Sequence, residues 1–285
     1  MKYKNIFGEE SSAGTPFRAT ATQRKGGLKT KSKIFMAMVL LAGFLPQSRA
    51  VLFLGSADSF AVLGNTTVTS TGNTVLNGNV GVYPGLAMTG FTFSPTPGPG
   101  IVNGTTYAGG SVAQQAQADA LTAYNTLAGE PVDFNLTGQD LGGLTLTAGV
   151  NRFNSSASLT GILTLDAQNN SNARFDFLIG STLTTGSGTS VLLINGAQAN
   201  NVYWQVGSSA TLGTGTSFFG SILADQSITL NTGAGLYGRA LALNAAVTLD
   251  NNAITVVPEP ASIWVLAFIA SAWGLNKSLT GRQRT

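Results

Sequence analysis

A short alternation of outward Thr and mostly apolar inward positions recurs along the second half of the chain. The copies are Leu144-Thr145-Leu146, Leu163-Thr164-Leu165, Ser181-Thr182-Leu183, Ala210-Thr211-Leu212, Ile228-Thr229-Leu230 and Val247-Thr248-Leu249. Their Thr residues lie 19, 18, 29, 18 and 19 positions apart. Each copy reads as a strand with one face buried and Thr facing out. A strand that returns to the same face at a near-constant interval is one coil of a solenoid. The spacing therefore predicts an all-β solenoid, a β-helix with three short strands and three turns per coil. Turn residues follow several copies, as in Thr185-Gly186-Ser187-Gly188, Gly213-Thr214-Gly215 and Asn231-Thr232-Gly233. The long interval is accounted for by an extra stretch, 194–201, before the strand Val202-Tyr203-Trp204-Gln205-Val206. Phe175, Phe177, Ile179, Trp204, Val206, Phe218, Ile222 and Leu236 are expected to fill the interior, and the small Ala224, Gly238, Ala240 and Ala242 to let later coils sit tightly.

One segment departs from the strand pattern. Ser111 is a good helix N-cap, and Gly129 with Pro131 is a good stop. Between them Val112, Ala116, Ala120, Tyr124, Leu127 and Ala128 form one apolar stripe. A helix over 112–128 is about 25 Å long at ~1.5 Å per residue. Six rungs span about 24 Å at ~4.8 Å per gap, so the helix is expected to lie along the solenoid wall.

Charge is confined to the ends. Of the 15 Lys and Arg, nine lie in residues 1–50 and three in 258–285, leaving Arg152, Arg174 and Arg239 between. Residues 51–257 hold nine of the 12 carboxylates, so this segment carries 3 − 9 = −6, against a whole-chain charge of +3. Three scattered cations make no phosphate-tracking surface, which argues against nucleic acid as a partner. There is no Cys or His, which removes disulfides, Ser-His-Asp and Cys nucleophile chemistry and the usual zinc sites. No cofactor or metal is expected. Polysaccharide lyases and hydrolases also use β-helices, but they need clustered carboxylates or a base beside one. Asp166, Asp176, Asp225 and Asp250 fall on separate coils, and Asp225 facing Arg239 reads as a surface ion pair. An enzyme is not expected. Asn65-Thr66-Thr67 and Asn135-Leu136-Thr137 match glycosylation sequons by pattern only.

The ends read as addresses. Lys29, Lys31 and Lys33 precede an apolar run over 34–45, and Ser48-Arg49-Ala50 offers small residues for cleavage after Ala50. Residues 1–50 are thus expected to be a signal peptide with a long charged leader, removed by signal peptidase. At the other end Pro258-Glu259-Pro260 precedes an apolar stretch over 263–275 and the basic Lys277, Arg282 and Arg284. This order resembles the PEP-CTERM sorting signal of Gram-negative bacteria. That likeness implies transient insertion of a short transmembrane helix in the inner membrane, recognition by an exosortase near Pro258-Glu259-Pro260, and release to the cell surface or outside. The solenoid domain then comprises 51–257.

The middle segment resembles the DUF3494-type ice-binding proteins of bacteria and fungi. The likeness rests on 54–63 (Leu54-Gly55-Ser56-Ala57-Asp58-Ser59-Phe60-Ala61-Val62-Leu63), on Gly78-Asn79-Val80-Gly81-Val82-Tyr83-Pro84-Gly85, and on Thr89-Gly90-Phe91. Asn195-Gly196-Ala197-Gln198-Ala199 and the segments 202–206, 211–216 and 236–247 continue it. One departure is Asn79, where Asp is common. The resemblance implies an irregular right-handed β-helix with a long helix beside it, and adsorption to ice.

Periodicity, not the resemblance, nominates the surface. The candidate ladder is Thr145, Thr164, Thr182, Thr211, Thr229 and Thr248. Thr67, Thr69, Thr71, Thr147 and Thr184 are secondary candidates. Stacked rungs repeat at about 4.8 Å and residues two apart along a strand at about 6.6 Å, lengths that roughly suit an ice-like water lattice. Each Thr presents a methyl and a hydroxyl, and β-branching holds χ1, so adsorption costs little side-chain entropy. Thr is also common on exposed strands for propensity alone. A structural or adhesive protein of an exopolysaccharide matrix, co-exported and without ice activity, therefore remains the alternative. By the coil count Thr189 lies off the ladder.

Overall fold

The computed structural model describes residues 52–94 and 97–257. The signal-peptide and Pro258-Glu259-Pro260 readings lie outside the described residues. Stacking order differs from chain order. Phe60–Gly64, Thr67–Thr71 and Val75–Asn77 make one coil, and Asn79–Val82, Ala87–Thr89 and Ile101–Asn103 the next. Thr106–Ala108 pairs with Asn79–Val82, and the chain then enters the helix Gly110–Ala128. The helix carries it to the opposite end of the stack. There Phe134–Asn135 pairs with Gly149–Phe153, and Thr145–Thr147 with Ile162–Asp166. Coils build back from that end until Val247–Asp250 pairs with Thr67–Thr71, and Ala253–Thr255 with Val75–Asn77. All these pairings are parallel, as a β-helix requires.

Three walls result. The first contains, in order, Ala157–Leu159, Leu183–Thr185, Ala210–Leu212, Ile228–Leu230, Val247–Asp250, Thr67–Thr71 and Ala87–Thr89. The second runs from Thr145–Thr147 through Ile162–Asp166 and Ser190–Ile194 to Val75–Asn77 and Ile101–Asn103. The third runs from Phe134–Asn135 to Thr106–Ala108 and is the one the helix covers. Two long strands, Ser217–Ala224 and Gly235–Ala242, bend from the second wall into the third. The bend falls at the paired Gly220 and Gly238. Gly238 has φ +152°, and a Cβ there would sit 2.0 Å from the Gly220 carbonyl oxygen, so only glycine fits this corner.

The interior agrees with the alternation. Phe175, Phe177, Ile179, Trp204, Val206, Phe218, Ile222 and Leu236 are at most 1% exposed. Phe177 stacks on Trp204 with centroids 3.8 Å apart, and Trp204 meets Phe218 at 4.7 Å. The indole N–H donates to the Phe219 carbonyl at 3.0 Å, which satisfies the one polar atom that ring buries.

The helix differs in detail from expectation. It starts at Gly110 with Gly109 at the cap position and no side-chain cap, so Ser111 sits one residue inside. The buried stripe is Ala113, Ala116, Gln117, Ala120, Ala123 and Leu127, while Val112 is 45% exposed. Ala116, Ala120 and Leu127 belong to the true seam; Val112 and Ala128 are exposed beside it and Tyr124 is half-buried at its edge, because the seam is turned toward Ala113, Gln117 and Ala123. Nine strands line this wall, about 38 Å at ~4.8 Å per gap, whereas the 19-residue helix is about 28 Å long. The connection 129–133 completes the span. Enlarging Ala116 or Ala120 to Leu is expected to overpack the seam and cost about 1–3 kcal/mol. Thermal melting checks this: unchanged melting of both variants would mean the wall can recede from the helix.

Candidate functional site

The first wall aligns one outward position across seven strands. Strand register places Ser158, Thr184, Thr211, Thr229, Thr248, Thr69 and Thr89 directly beside one another. All seven reach the surface. Inward partners are Ala157, Leu183, Ala210, Ile228, Val247, Val68 and Met88, each at most 4% exposed. Apolar residues facing in and β-branched residues facing out hold each strand in this orientation. None of the six Thr hydroxyls in this column bonds to another group among the described residues, so all six are open to water.

Mostly small residues flank the column on both sides. Two positions earlier stand Ser156, Thr182, Ser209, Ser227, Ala246, Thr67 and Ala87. Two positions later stand Thr160, Gly186, Gly213, Asn231, Asp250 and Thr71, and after Thr89 the fully buried Phe91. No exposed aromatic ring or cation stands in these rows; Arg152, Arg174 and Arg239 belong to the helix-covered wall or its margin. The surface is therefore flat and nearly free of charge. Two carboxylates mark its limits. Asp250 accepts the Thr71 hydroxyl at 3.0 Å and the Thr232 hydroxyl as well. Asp140 caps the far end, accepting the Ser158 hydroxyl at 2.6 Å and the Thr160 hydroxyl at 2.9 Å. Burial pushes the Asp140 carboxyl up, but hydrogen bonds from Ser158, Thr160 and the Gly142 amide outweigh it and hold it below its ordinary value.

The six-Thr ladder expected from spacing is divided. Thr211, Thr229 and Thr248 stand in the central column, and Thr69 and Thr184 join them. Thr182 and Thr67 fall in the preceding row, with the Thr182 hydroxyl bonded to Ser156 at 2.9 Å. Thr71 stands in the following row. Thr145, Thr147 and Thr164 are on the second wall, where Thr145 pairs with Thr164 and Thr164 with Leu192. The cause is coil length. From Thr211 to Thr229 to Thr248 the coil takes 18 and 19 residues, but from Ser158 to Thr184 to Thr211 it takes 26 and 27. Two corner loops supply the excess, 167–174 and 195–201. The second was legible; the first was not, and it made an 18-residue step from Thr164 to Thr182 look like one coil. Ser158 and Thr89 were missed altogether. Ala157-Ser158-Leu159 carries the same alternation with Ser for Thr, and would have been found by allowing either hydroxyl. Thr189 is off the column but buried, its hydroxyl bonded to the Gly186 carbonyl at 3.2 Å and to Thr216.

Asp166, Asp176, Asp225 and Asp250 lie apart, although Asp176 and Glu130 share Arg174, at 2.9 and 3.1 Å. Asp166 accepts from the Gln168 amide and Asn195, Asp225 from Gln226 and Asn244, and Asp176 from Arg174. Arg239 pairs with Asp58 rather than Asp225, because it faces the turn Gly55–Ser59 that leads into the neighbouring strand Phe60–Gly64. Among the described residues no group of His, Cys, Asp or Glu is placed to hold a metal ion, and no helix is long and apolar enough to cross a membrane.

Fold and face together define a parallel β-solenoid with a flat, regularly spaced hydroxyl surface and a helix sealing another wall. Residues 62–255 match the Ice-binding-like family, and the chain belongs to that family. It is 50% identical over 249 residues to an ice-binding protein of Nostoc sp. (strain HG1), covering 82% of this chain and 90% of that one. It is 34% identical over 238 residues to ice-binding protein 1 of Shewanella frigidimarina (strain NCIMB 400), covering 74% of this chain and 27% of that longer one. Among solved structures, the ice-binding protein of the Antarctic ascomycete Antarctomyces psychrotrophicus superposes with a TM-score of 0.70 at 38% identity, over 74% of this chain and all of that one.

Proposed function

We propose that this protein adsorbs to ice through the first wall, with Thr184, Thr211, Thr229, Thr248, Thr69 and Thr89 as the central contact row. The observation that carries the reading is that row: six in-register hydroxyls, each free of the protein, on a flat surface without cations. Methyl groups between the hydroxyls disfavour ordinary liquid hydration, while the hydroxyls hold water at the rung spacing of about 4.8 Å. Strand pairing fixes the array before ice is met, so little ordering entropy is lost on adsorption. Thr182 and Thr67 border the row, and Thr145, Thr147 and Thr164 lie outside it. Ice affinity partitioning of residues 51–257 tests the reading. Exclusion of the folded domain from ice would overturn it and leave the matrix role as the surviving alternative.

We further propose that the ends direct export by signal peptidase and an exosortase, with contact to exopolysaccharide on release. The paired end signals motivate this. Mass spectrometry of secreted protein is expected to find a mature start near Val51 and no residues after about Pro260. An intact C-terminal tail on secreted material would contradict the exosortase step.

A further inference from the structure

We propose that Asp250 is a positioning residue of the threonine face, setting the direction of the hydroxyls along its rim. The inference rests on the proposed ice face. A carboxylate accepts hydrogen bonds and donates none. Asp250 therefore takes the protons of two hydroxyls from neighbouring rungs, Thr232 on one side and Thr71 on the other, at 3.0 Å against 3.4 Å to the competing Leu249 carbonyl. Both hydroxyls are left with their lone pairs outward. The central hydroxyls bond to nothing in the protein and are free to donate or accept. The rim thus presents fixed acceptors beside an adaptable row, and water settling at the rim must donate to it. Asp140 likewise accepts two hydroxyls at the far end, but both, Ser158 and Thr160, from one rung.

The scaffold under Asp250 is rigid. Its amide donates to the Asn252 side chain at 2.6 Å, and Asn252, only 2% exposed, donates in turn to the Asn231 and Ala234 carbonyls. The backbone that carries the carboxylate is thereby held between the rungs, and the two hydroxyls fix the carboxylate itself. Freely turning rim hydroxyls would have to be ordered on adsorption; here that ordering is built in beforehand.

Asp250→Asn keeps the shape but makes one end of the side chain a donor, so one rim hydroxyl must reverse. Thr71→Val removes the hydroxyl and keeps the branched outline. Each single variant is expected to lower thermal hysteresis about two-fold or more, as for a misdirected ordered-water contact, with the melting temperature unchanged. The double variant is expected to be no weaker than either single one, since both break the same arrangement. Full activity in Asp250→Asn, or losses that add in the double variant, would overturn the positioning role. So would a fall in melting temperature that accounts for the lost activity. A wild type inactive on ice removes this inference together with the ice face. An active wild type silenced by Thr229→Tyr, beside an unaffected Asp250→Asn, rejects the positioning role alone.

Discussion

Thr229→Tyr is expected to abolish thermal hysteresis and ice recrystallisation inhibition while leaving the fold intact. Thr229 sits in the middle of the central row, with Thr211 and Thr248 on either side. A tyrosine ring there stands well above the neighbouring methyls. It lifts the surface off an ice plane over adjacent rungs, each only about 4.8 Å away. Contact is then lost across much of the row rather than at one residue. Folding is spared because the side chain points to solvent, and exposed changes typically stay within about 0.5 kcal/mol. Circular dichroism and melting temperature should therefore match the wild type. Thr211→Tyr is expected to behave in the same way. The matched control is Thr145→Tyr, exposed on the second wall. Thr189 is unsuitable, because its hydroxyl lies inside a buried cluster with Thr185 and Thr216 and a ring there would unfold the corner. Full ice activity in Thr229→Tyr would move the binding surface to another wall; loss in Thr145→Tyr as well would implicate the second.

The fold was largely legible because a solenoid writes its inward residues periodically. Phe177, Trp204 and Ile222 are register partners on successive coils, and their apolar pattern marks them as interior without any tertiary information. Assignment of the outward Thr to particular walls was less legible. Each coil contains three strands of similar composition, and the motif Leu-Thr-Leu looks alike on the first wall and the second. Only coil length separates them, and loop 167–174 hides a coil boundary among polar residues. Thr182 and Thr184 both adjoin Leu183, and the next inward neighbour of Thr184 is Thr185 rather than an apolar residue. Thr185 is nonetheless 4% exposed, its hydroxyl satisfied by Thr216 at 2.8 Å and by the Gly213 amide at 2.8 Å. A buried Thr with full hydrogen bonding is invisible to a hydrophobicity pattern. Nor does sequence order reveal that Thr69 and Thr89 extend the row beyond Thr248, since the first coils stack on the last one.

That closure of first coil on last draws on Arg239. It is completely buried. Its Nε donates to the Asp58 carbonyl at 2.7 Å, one terminal nitrogen to the Ser221 hydroxyl at 3.2 Å, and the other to the Val257 carbonyl at 3.0 Å and the Asp58 carboxylate. One guanidinium thus ties the N-terminal turn Gly55–Ser59 to the last described residue. Arg239→Met keeps most of the stem volume but leaves these acceptors without their donor. Removing one partner of a buried pair costs about 3–5 kcal/mol. The Asp58 side chain is 31% exposed, so water relieves part of its loss and places the expected cost toward the lower end. The effect should also depend on pH. Burial raises the Asp58 carboxyl above its ordinary value, and Arg239 opposes that rise. Without the guanidinium the carboxyl rises further. A group raised in the folded state contributes stability that is present below its unfolded value and lost as pH climbs through the folded one. The variant is therefore expected to recover part of its deficit as pH falls from about 7 toward about 4, where the carboxyl takes up its proton. Urea unfolding of both proteins across that range measures it. A deficit that stays constant, or widens on acidification, would mean that the lost carbonyl and hydroxyl bonds dominate and that the ion pair contributes little.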